Sequence, residues 1–263
     1  MKVAVAKFWI CVSLIAMSLI FTGQSDAKID PKSVAGIWLF DEGGGKTAQD
    51  SSQNGNDGEI KGDLKWTDGK FSKALEFPGK DNSFVEVPPD NSLDLATFSF
   101  TLWVKIEPTG NYQAVLIKTA DCLLENYSGY IFADRKVFWT RFTSGGPTQW
   151  GFQKFGTTIV TDNKWHHLAG TYDMKSVKSY VDGVVEADAP FDKKPDKSPG
   201  PLTIGDCNGF PYGVKGVMDD VGLFSVALTQ DEIQDIIEHG LSDALAVSPS
   251  GKIALTWGTI KAQ

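Results

Sequence analysis

Between Phe84 and Phe224 the chain runs in a period of two. In Phe98–Ile106 the residues Phe98, Phe100, Leu102, Val104 and Ile106 alternate with the others. Successive side chains of a strand point to opposite faces, so one face of this segment is destined for a core. The same reading gives strands at Phe84–Val87, Val137–Phe142, Trp165–Tyr172, Val177–Val181, Pro201–Gly205 and Val221–Phe224. Asn82-Ser83, Pro88-Pro89, Gly145-Gly146-Pro147 and Asp173 punctuate them, and Asp182-Gly183 predicts a tight hairpin into Val184-Val185. Short strands at this spacing specify an all-β sandwich or jelly roll. One helix signal stands against that background, and it comes late. Thr229-Gln230-Asp231-Glu232 matches a capping box, Ile233, Ile236 and Ile237 follow at helical spacing, and Gly240 supplies the stop.

The first 27 residues read as a secretory signal peptide. Lys2 and Lys7 precede an apolar run from Phe8 to Phe21, and Ser25-Asp26-Ala27 offers a small-residue cleavage site. That run is shorter than the roughly 20 residues a membrane-spanning helix needs. The expected organisation is a leader over residues 1–27, one domain over 28–243, and a terminal strand or tail over 244–263. A formal net charge of -8 argues against nucleic acid as a partner, since phosphate binding needs clustered Lys and Arg. With Cys11 in the leader, Cys122 and Cys207 remain. An even pair in an oxidising compartment reads as a disulfide, with two free thiols as the alternative. The expected location is extracellular or periplasmic.

Seven pieces occur in a recognisable order. They are Gly36–Gly43, Asp50–Gly58, Gly69–Gly79, Phe84–Pro88, Trp165–Asp173, Tyr180–Gly183 and Met218–Val221. Together they resemble the laminin-G-like branch of the concanavalin A-like lectin–glucanase superfamily over about residues 34–240. The resemblance implies two antiparallel sheets packed as a jelly roll with one curved concave face. It also implies carbohydrate binding or adhesion, often with Ca²⁺. Fold alone does not choose among lectins, hydrolases and spacers.

Calcium takes six to eight oxygen ligands. Asp50, Asn54, Asn56 and Asp57 place four oxygen-bearing side chains on one glycine-containing turn. The turn mimics the first half of an EF-hand loop but has Lys61 where the bidentate Glu belongs. In the related folds an acidic pair, here Asp219 and Asp220, lies beside such a loop, with Gly79 and Asp81 as further contributors. Alternation allows only one of the acidic pair to ligate from the strand. The expectation is a structural Ca²⁺ site, against a plain turn with solvated acids. Adjacent His166 and His167 face opposite sides of a strand and cannot share a metal, so zinc chemistry is not expected.

Catalysis is not expected either. The chain has no Gly-x-Ser-x-Gly elbow and no Glu-x-Asp-x-x-Glu run of the kind used by the superfamily's hydrolases. Glu86 and Glu186 stand alone on strands. The acids of Asp231–Glu238 belong to the helix, where they read as a solvated face. Aromatic residues instead crowd Tyr127–Phe155. On the Val137–Thr143 strand Trp139 and Arg141 share one face and Phe138 and Phe142 the other. If the phenylalanines are core, Trp139 and Arg141 are displayed. Tyr130, Trp139, Arg141, Trp150 and Tyr212 are therefore the candidate ligand-binding residues, with second-layer packing as the alternative. The reading is an exported, non-catalytic module for carbohydrate or glycosylated matrix, with no membrane span after cleavage. A protein-binding adhesion domain without a sugar site and a glycoside hydrolase of the same fold are the rivals.

Overall fold

The computed structural model describes residues 29–150, 154–207 and 210–245. The expected leader, the segment beyond Leu245 and the 151–153 stretch lie outside them. In chain order the strands are β1 (Val34–Trp38), β2 (Thr47–Ala48), β3 (Gly58–Ile60), β4 (Lys65–Asp68), β5 (Lys73–Pro78), β6 (Val85–Val87), β7 (Phe98–Ile106) and β8 (Gln113–Thr119). They continue with β9 (Glu125–Ile131), β10 (Phe138–Arg141), β11 (Trp165–Tyr172), β12 (Ser176–Val181), β13 (Val184–Pro190), β14 (Leu202–Ile204) and β15 (Lys215–Phe224). Two helices, α1 (Gln230–His239) and α2 (Leu241–Ala244), close the described chain.

All named pairings are antiparallel. The first sheet has eight strands in the order β13-β12-β11-β7-β15-β5-β4, with β1 joined to the far half of β15. The second has seven, in the order β10-β9-β8-β14-β6-β3-β2. The expected all-β jelly-roll sandwich with one substantial helix is what the chain forms. β7 and β11 keep the bounds read from alternation, whereas β15 begins six residues earlier than read, at Lys215. β8 and β9 had no clear signal. They are buried along their whole length, so the alternation that marks a half-exposed strand is absent.

The core lies between the sheets. Phe98, Phe100, Leu102, Val104 and Ile106 of β7 point into it, against Tyr127, Ile131, Phe138 and Phe142 of the second sheet. Phe100 packs edge-on to Phe138 at 6.1 Å, and Phe98 edge-on to Phe142 at 5.9 Å. The Phe100 ring fits because glycines face it from both sheets. A Cβ at Gly129 would meet that ring at 2.8 Å, and one at Gly170 at 2.5 Å. Beside this point the sheets are linked by polar contacts. Ser179 Oγ on β12 accepts the Thr140 N–H of β10 (3.1 Å) and donates to Thr140 Oγ1 (2.9 Å). Those bonds anchor the edge strand β10 to the opposite sheet.

The outer face of the first sheet is closed by α1 and α2. Thr229 and Glu232 form the expected capping box, and Gly240 ends α1 at φ 78°. Ile233, Ile236 and Leu241 pack over Ile37, Ala169, Tyr180 and Phe224. His166 and His167 do face opposite sides. His166 is held between Asp182 Oδ2 (2.8 Å) and Asp162 Oδ1 (3.1 Å). His167 is fully buried, lies edge-on to Trp103 at 5.4 Å, and has no partner on either ring nitrogen. Burial pushes its pKa down to about 3.

A neutral imidazole that the fold refuses to protonate makes stability depend on pH. Below about pH 6.5 the unfolded chain takes up a proton that the folded one does not, so this contribution is intact above pH 6.5 and is lost as pH falls toward 3. Asp206 and Asp219, both pushed up to about 6 by burial, act in the opposite sense: their contribution is present below pH 4 and is lost as pH rises through 6. Comparison with His167→Phe isolates the histidine. Denaturant unfolding is expected to show the variant gaining on the wild type below pH 6.5, by up to about 1.4 kcal/mol per pH unit. A gap independent of pH would rule out the buried neutral imidazole.

Candidate functional site

The pleat that sends Phe138 and Phe142 into the core sends Trp139 and Arg141 to the outer face of the second sheet. In the β9–β10 register Trp139 lies opposite Tyr130, and Arg141 opposite Ser128. The strands supply only the floor. Trp150 is brought across by a turn whose bridge pairs it with Thr143, and Phe155 follows on the next described segment. Tyr112 precedes β8, and Tyr212 sits in the loop before β15, its carbonyl accepting the Ala114 N–H (2.9 Å). These side chains and Phe132 line an open cavity of about 480 Å³.

All five candidate ligand residues line this one cavity, as do Tyr112, Phe132 and Phe155. Phe155 was visible in the aromatic run. Phe132 lies in the same run, just past the end of β9, whereas Tyr112 lies outside it and reaches the cavity from the loop before β8. Of the two readings of this face, display and second-layer packing, burial favours the second: Trp139 and Arg141 are turned outward from the core but are only 4% and 8% exposed. Phe155 lies 5.0 Å from the Trp139 ring, and Trp150 stands 4.7 Å from the Arg141 guanidinium, so segments outside the strands wall in what alternation alone leaves open.

Arg141 is held by Glu125 at the start of β9. Its Nε donates to Glu125 Oε2 (2.8 Å), and its Nη2 to Oε1. Ser128 Oγ donates to Oε2 (2.7 Å), and Tyr130 Oη to Oε1 (3.4 Å). Glu125 is fully buried, yet each carboxylate oxygen has two donors. The guanidinium also lies 4.2 Å from the Tyr130 ring and 5.1 Å from that of Trp139, so three aromatic faces surround it. Burial, the largest single influence, pulls its pKa down, but Glu125 and Tyr130 together outweigh it and the net shift is upward. Burial and the same carboxylate hold the Tyr130 phenol far above its usual range. By contrast, the indole N–H groups of Trp139 and Trp150 are buried without a partner.

Cys122 and Cys207 form a disulfide, with Cα atoms 6.0 Å apart. It joins the turn that leads into Glu125 to the loop that carries Phe210 and Tyr212. Tyr212 stacks on Phe210 at 5.4 Å and meets Tyr112 and Tyr130 edge-on. Closing a loop of 85 residues stabilises by about 4.6 kcal/mol on the chain-entropy account.

The residues expected to hold Ca²⁺ lie in separate places. Asp50 Oδ1 accepts the N–H groups of Ile37 (3.0 Å) and Ser52 (2.9 Å), and its Oδ2 that of Asn56 (3.0 Å). Asp57 accepts from Asp50 N–H (2.7 Å), while Asn54 and Asn56 donate side-chain amide hydrogens to β1 carbonyls. Asp219 Oδ2 instead accepts from Lys70 (2.7 Å) and Phe71 (3.2 Å), and Asp220 Oδ2 from Leu241 (2.9 Å). Gly79 N–H donates to the Val214 carbonyl, and Asp81 is exposed in the adjoining turn. The eight do not assemble one donor set. Among the described residues no group of three or more His, Cys, Asp or Glu side chains is arranged to hold a metal ion. Here the acids accept backbone N–H groups and fasten turns.

The Glu125–Arg141 pair gives a direct test of how the floor is held. Glu125→Ala leaves a buried guanidinium without its counter-charge, a loss expected to cost about 3–5 kcal/mol. Equilibrium unfolding measures it, and a change below about 1 kcal/mol would mean that Arg141 escapes to solvent.

Solved structures share this architecture. Domain 4 of AbnA, a GH43 extracellular arabinanase from Geobacillus stearothermophilus determined with arabinotriose, superposes with a TM-score of 0.61 at 21% identity, over 78% of this chain and 98% of that one. The binding domain of Paraclostridial Mosquitocidal Protein 1 gives 0.62 at 15% identity, over 78% and 51%. The botulinum neurotoxin serotype D ligand binding domain, determined with N-acetylneuraminic acid, gives 0.62 at 14% identity, over 81% and 52%. The chain thus spans about half the length of the two toxin domains, and at such identities the likeness is one of fold. No individually curated protein matches the chain in sequence. The family profile described as the concanavalin A-like lectin/glucanases superfamily matches residues 79–234, more than half of the chain, and the chain belongs to that family.

Proposed function

We propose that this chain is a non-catalytic binding module that takes a saccharide unit into the aromatic cavity on the outer face of its second sheet. The observation that carries the reading is the pair of buried, unpartnered indole N–H groups at Trp139 and Trp150 beside that cavity. A buried donor without an acceptor is costly, and an incoming oxygen relieves it. The flat faces of the surrounding rings suit the C–H faces of a sugar. Two structural neighbours were determined with a saccharide or sugar acid, arabinotriose and N-acetylneuraminic acid, which is consistent with this use of the fold.

Turnover is not part of the proposal. Glycoside hydrolysis uses two carboxylates flanking the bond, about 5–9.5 Å apart. Among the described residues lining the cavity there is none, and Glu125 beneath the floor is committed to Arg141. The module acts outside the cytosol, a reading supported by the Cys122–Cys207 bond and the leader-like N-terminus. No helix among the described residues is long and apolar enough to cross a membrane.

A glycan array tests the reading. Wild type is expected to select a small set of saccharides. Trp150→Ala, at the half-exposed wall, should weaken that binding about tenfold or more, and Trp139→Phe, which keeps the ring and removes the N–H, by several-fold. Undiminished binding in both variants would place the ligand elsewhere. A structural Ca²⁺ is a separable proposal, confined to the oxygens of the Asp50–Asp57 turn that remain after its internal bonds. It predicts a lower melting temperature in EDTA that added Ca²⁺ restores. Identical melting with and without the chelator removes it.

A further inference from the structure

Of the chain's 25 basic residues only two are arginine, Arg135 and Arg141. Both lie against rings that line the same cavity. Arg141 forms the floor. Arg135 stands at the rim, its guanidinium carbon 4.8 Å from the Phe155 ring and 5.7 Å from that of Phe132. It is exposed, and among the described residues the only arginine ion pair is Arg141 with Glu125. Its planar fork of donors is free.

Among the buried side-chain atoms around the cavity, the hydrogen-bonding capacity left over is one-sided. Glu125, the acid beneath it, already accepts from Arg141, Ser128 and Tyr130. The groups left without partners are donors: the indole N–H of Trp139, a residue 4% exposed, and that of Trp150. The hydroxyls of Tyr112 and Tyr212 serve in either sense. A neutral sugar brings hydroxyls that must donate as well as accept, and donors facing donors leave them unmatched. A carboxylate only accepts, and a guanidinium on an aromatic wall meets it in two parallel bonds.

Resting on the saccharide reading above, we infer that the ligand is an acidic saccharide. Arg135 takes the carboxylate of a uronic or ulosonic acid unit while the sugar ring lies along the aromatic wall. A net charge of -8 repels polyanions in general, so retention of one reports a local site rather than diffuse attraction.

The test is affinity electrophoresis and titration calorimetry of the intact chain against polygalacturonate, alginate, hyaluronan and polysialic acid. Each is run beside its carboxyl-reduced form, with dextran sulfate as a further arm. At least one acidic polymer is expected to bind, and its carboxyl-reduced form to bind tenfold or more weakly. Arg135→Gln should lose about tenfold toward the acidic form alone, and Arg135→Lys should recover only part of it. Far-UV circular dichroism shows that the variants of this exposed residue remain folded. Equal binding of acidic and reduced polymers, preference for dextran sulfate, or undiminished binding by Arg135→Gln overturns the inference and leaves the saccharide module standing. Binding of no saccharide in any form overturns both.

Discussion

The pleat of β9 and β10 couples the core to the site. A strand offers its side chains alternately to its two faces, so a residue placed in the core commits its neighbour to the outside. Phe138 and Phe142 are held by Phe100 and Phe98 of the facing sheet. That contact is what turns Trp139 and Arg141 outward onto one floor. A slip of one residue would bury a guanidinium between the sheets and expose two phenylalanines. Gly129 and Gly170 enforce the close approach at Phe100, and the Ser179–Thr140 bonds keep the short edge strand from peeling away.

On that floor the buried ion pair is arranged so that neither charge is isolated. Charges taken from water are costly unless paired and fully hydrogen-bonded. Glu125 meets this requirement with four contacts, and Arg141 with two bonds and three aromatic faces. With the carboxylate saturated, the cavity presents rings and donors. The disulfide then joins the turn before Glu125 to the loop bearing Tyr212, so floor and wall are held in one covalent frame.

The superfamily's sandwich serves proteins that share little sequence, and the neighbours here, at 14–21% identity, illustrate it. What such a fold holds constant is the core between its sheets. What varies is the set of loops brought over a sheet face, and chemistry resides there. In this chain the loops contribute Trp150, Phe155 and Tyr212, all aromatic, and both arginines of the sequence lie against the same group of rings.

Much of the architecture was legible before any coordinates. Period-two segments at Phe98–Ile106 and Trp165–Tyr172 mark strands because one face of each must be apolar. Thr229 and Glu232 mark a helix start because their side chains bond each other's backbone locally. Five of the cavity's residues were recognisable as a chemical type, aromatic with one guanidinium: Trp139 and Arg141 by alternation, and Tyr130, Trp150 and Tyr212 by composition. The remainder depended on contacts between residues far apart in sequence. The oxygen-rich Asp50–Asp57 turn resembles a cation site in composition, yet backbone N–H groups from β1 and from the turn itself take up its oxygens. The Asp219–Asp220 pair faces Lys70 and Phe71 on one side and Leu241 on the other. Local order along the chain thus determined the strands, the turns and which side chains share a face, since those follow from backbone geometry. Only tertiary structure decided that Trp139 is walled in, that Glu125 neutralises Arg141, and that Tyr112 and Tyr212 meet. Each requires segments separated in the chain to converge, and no local pattern encodes that distance.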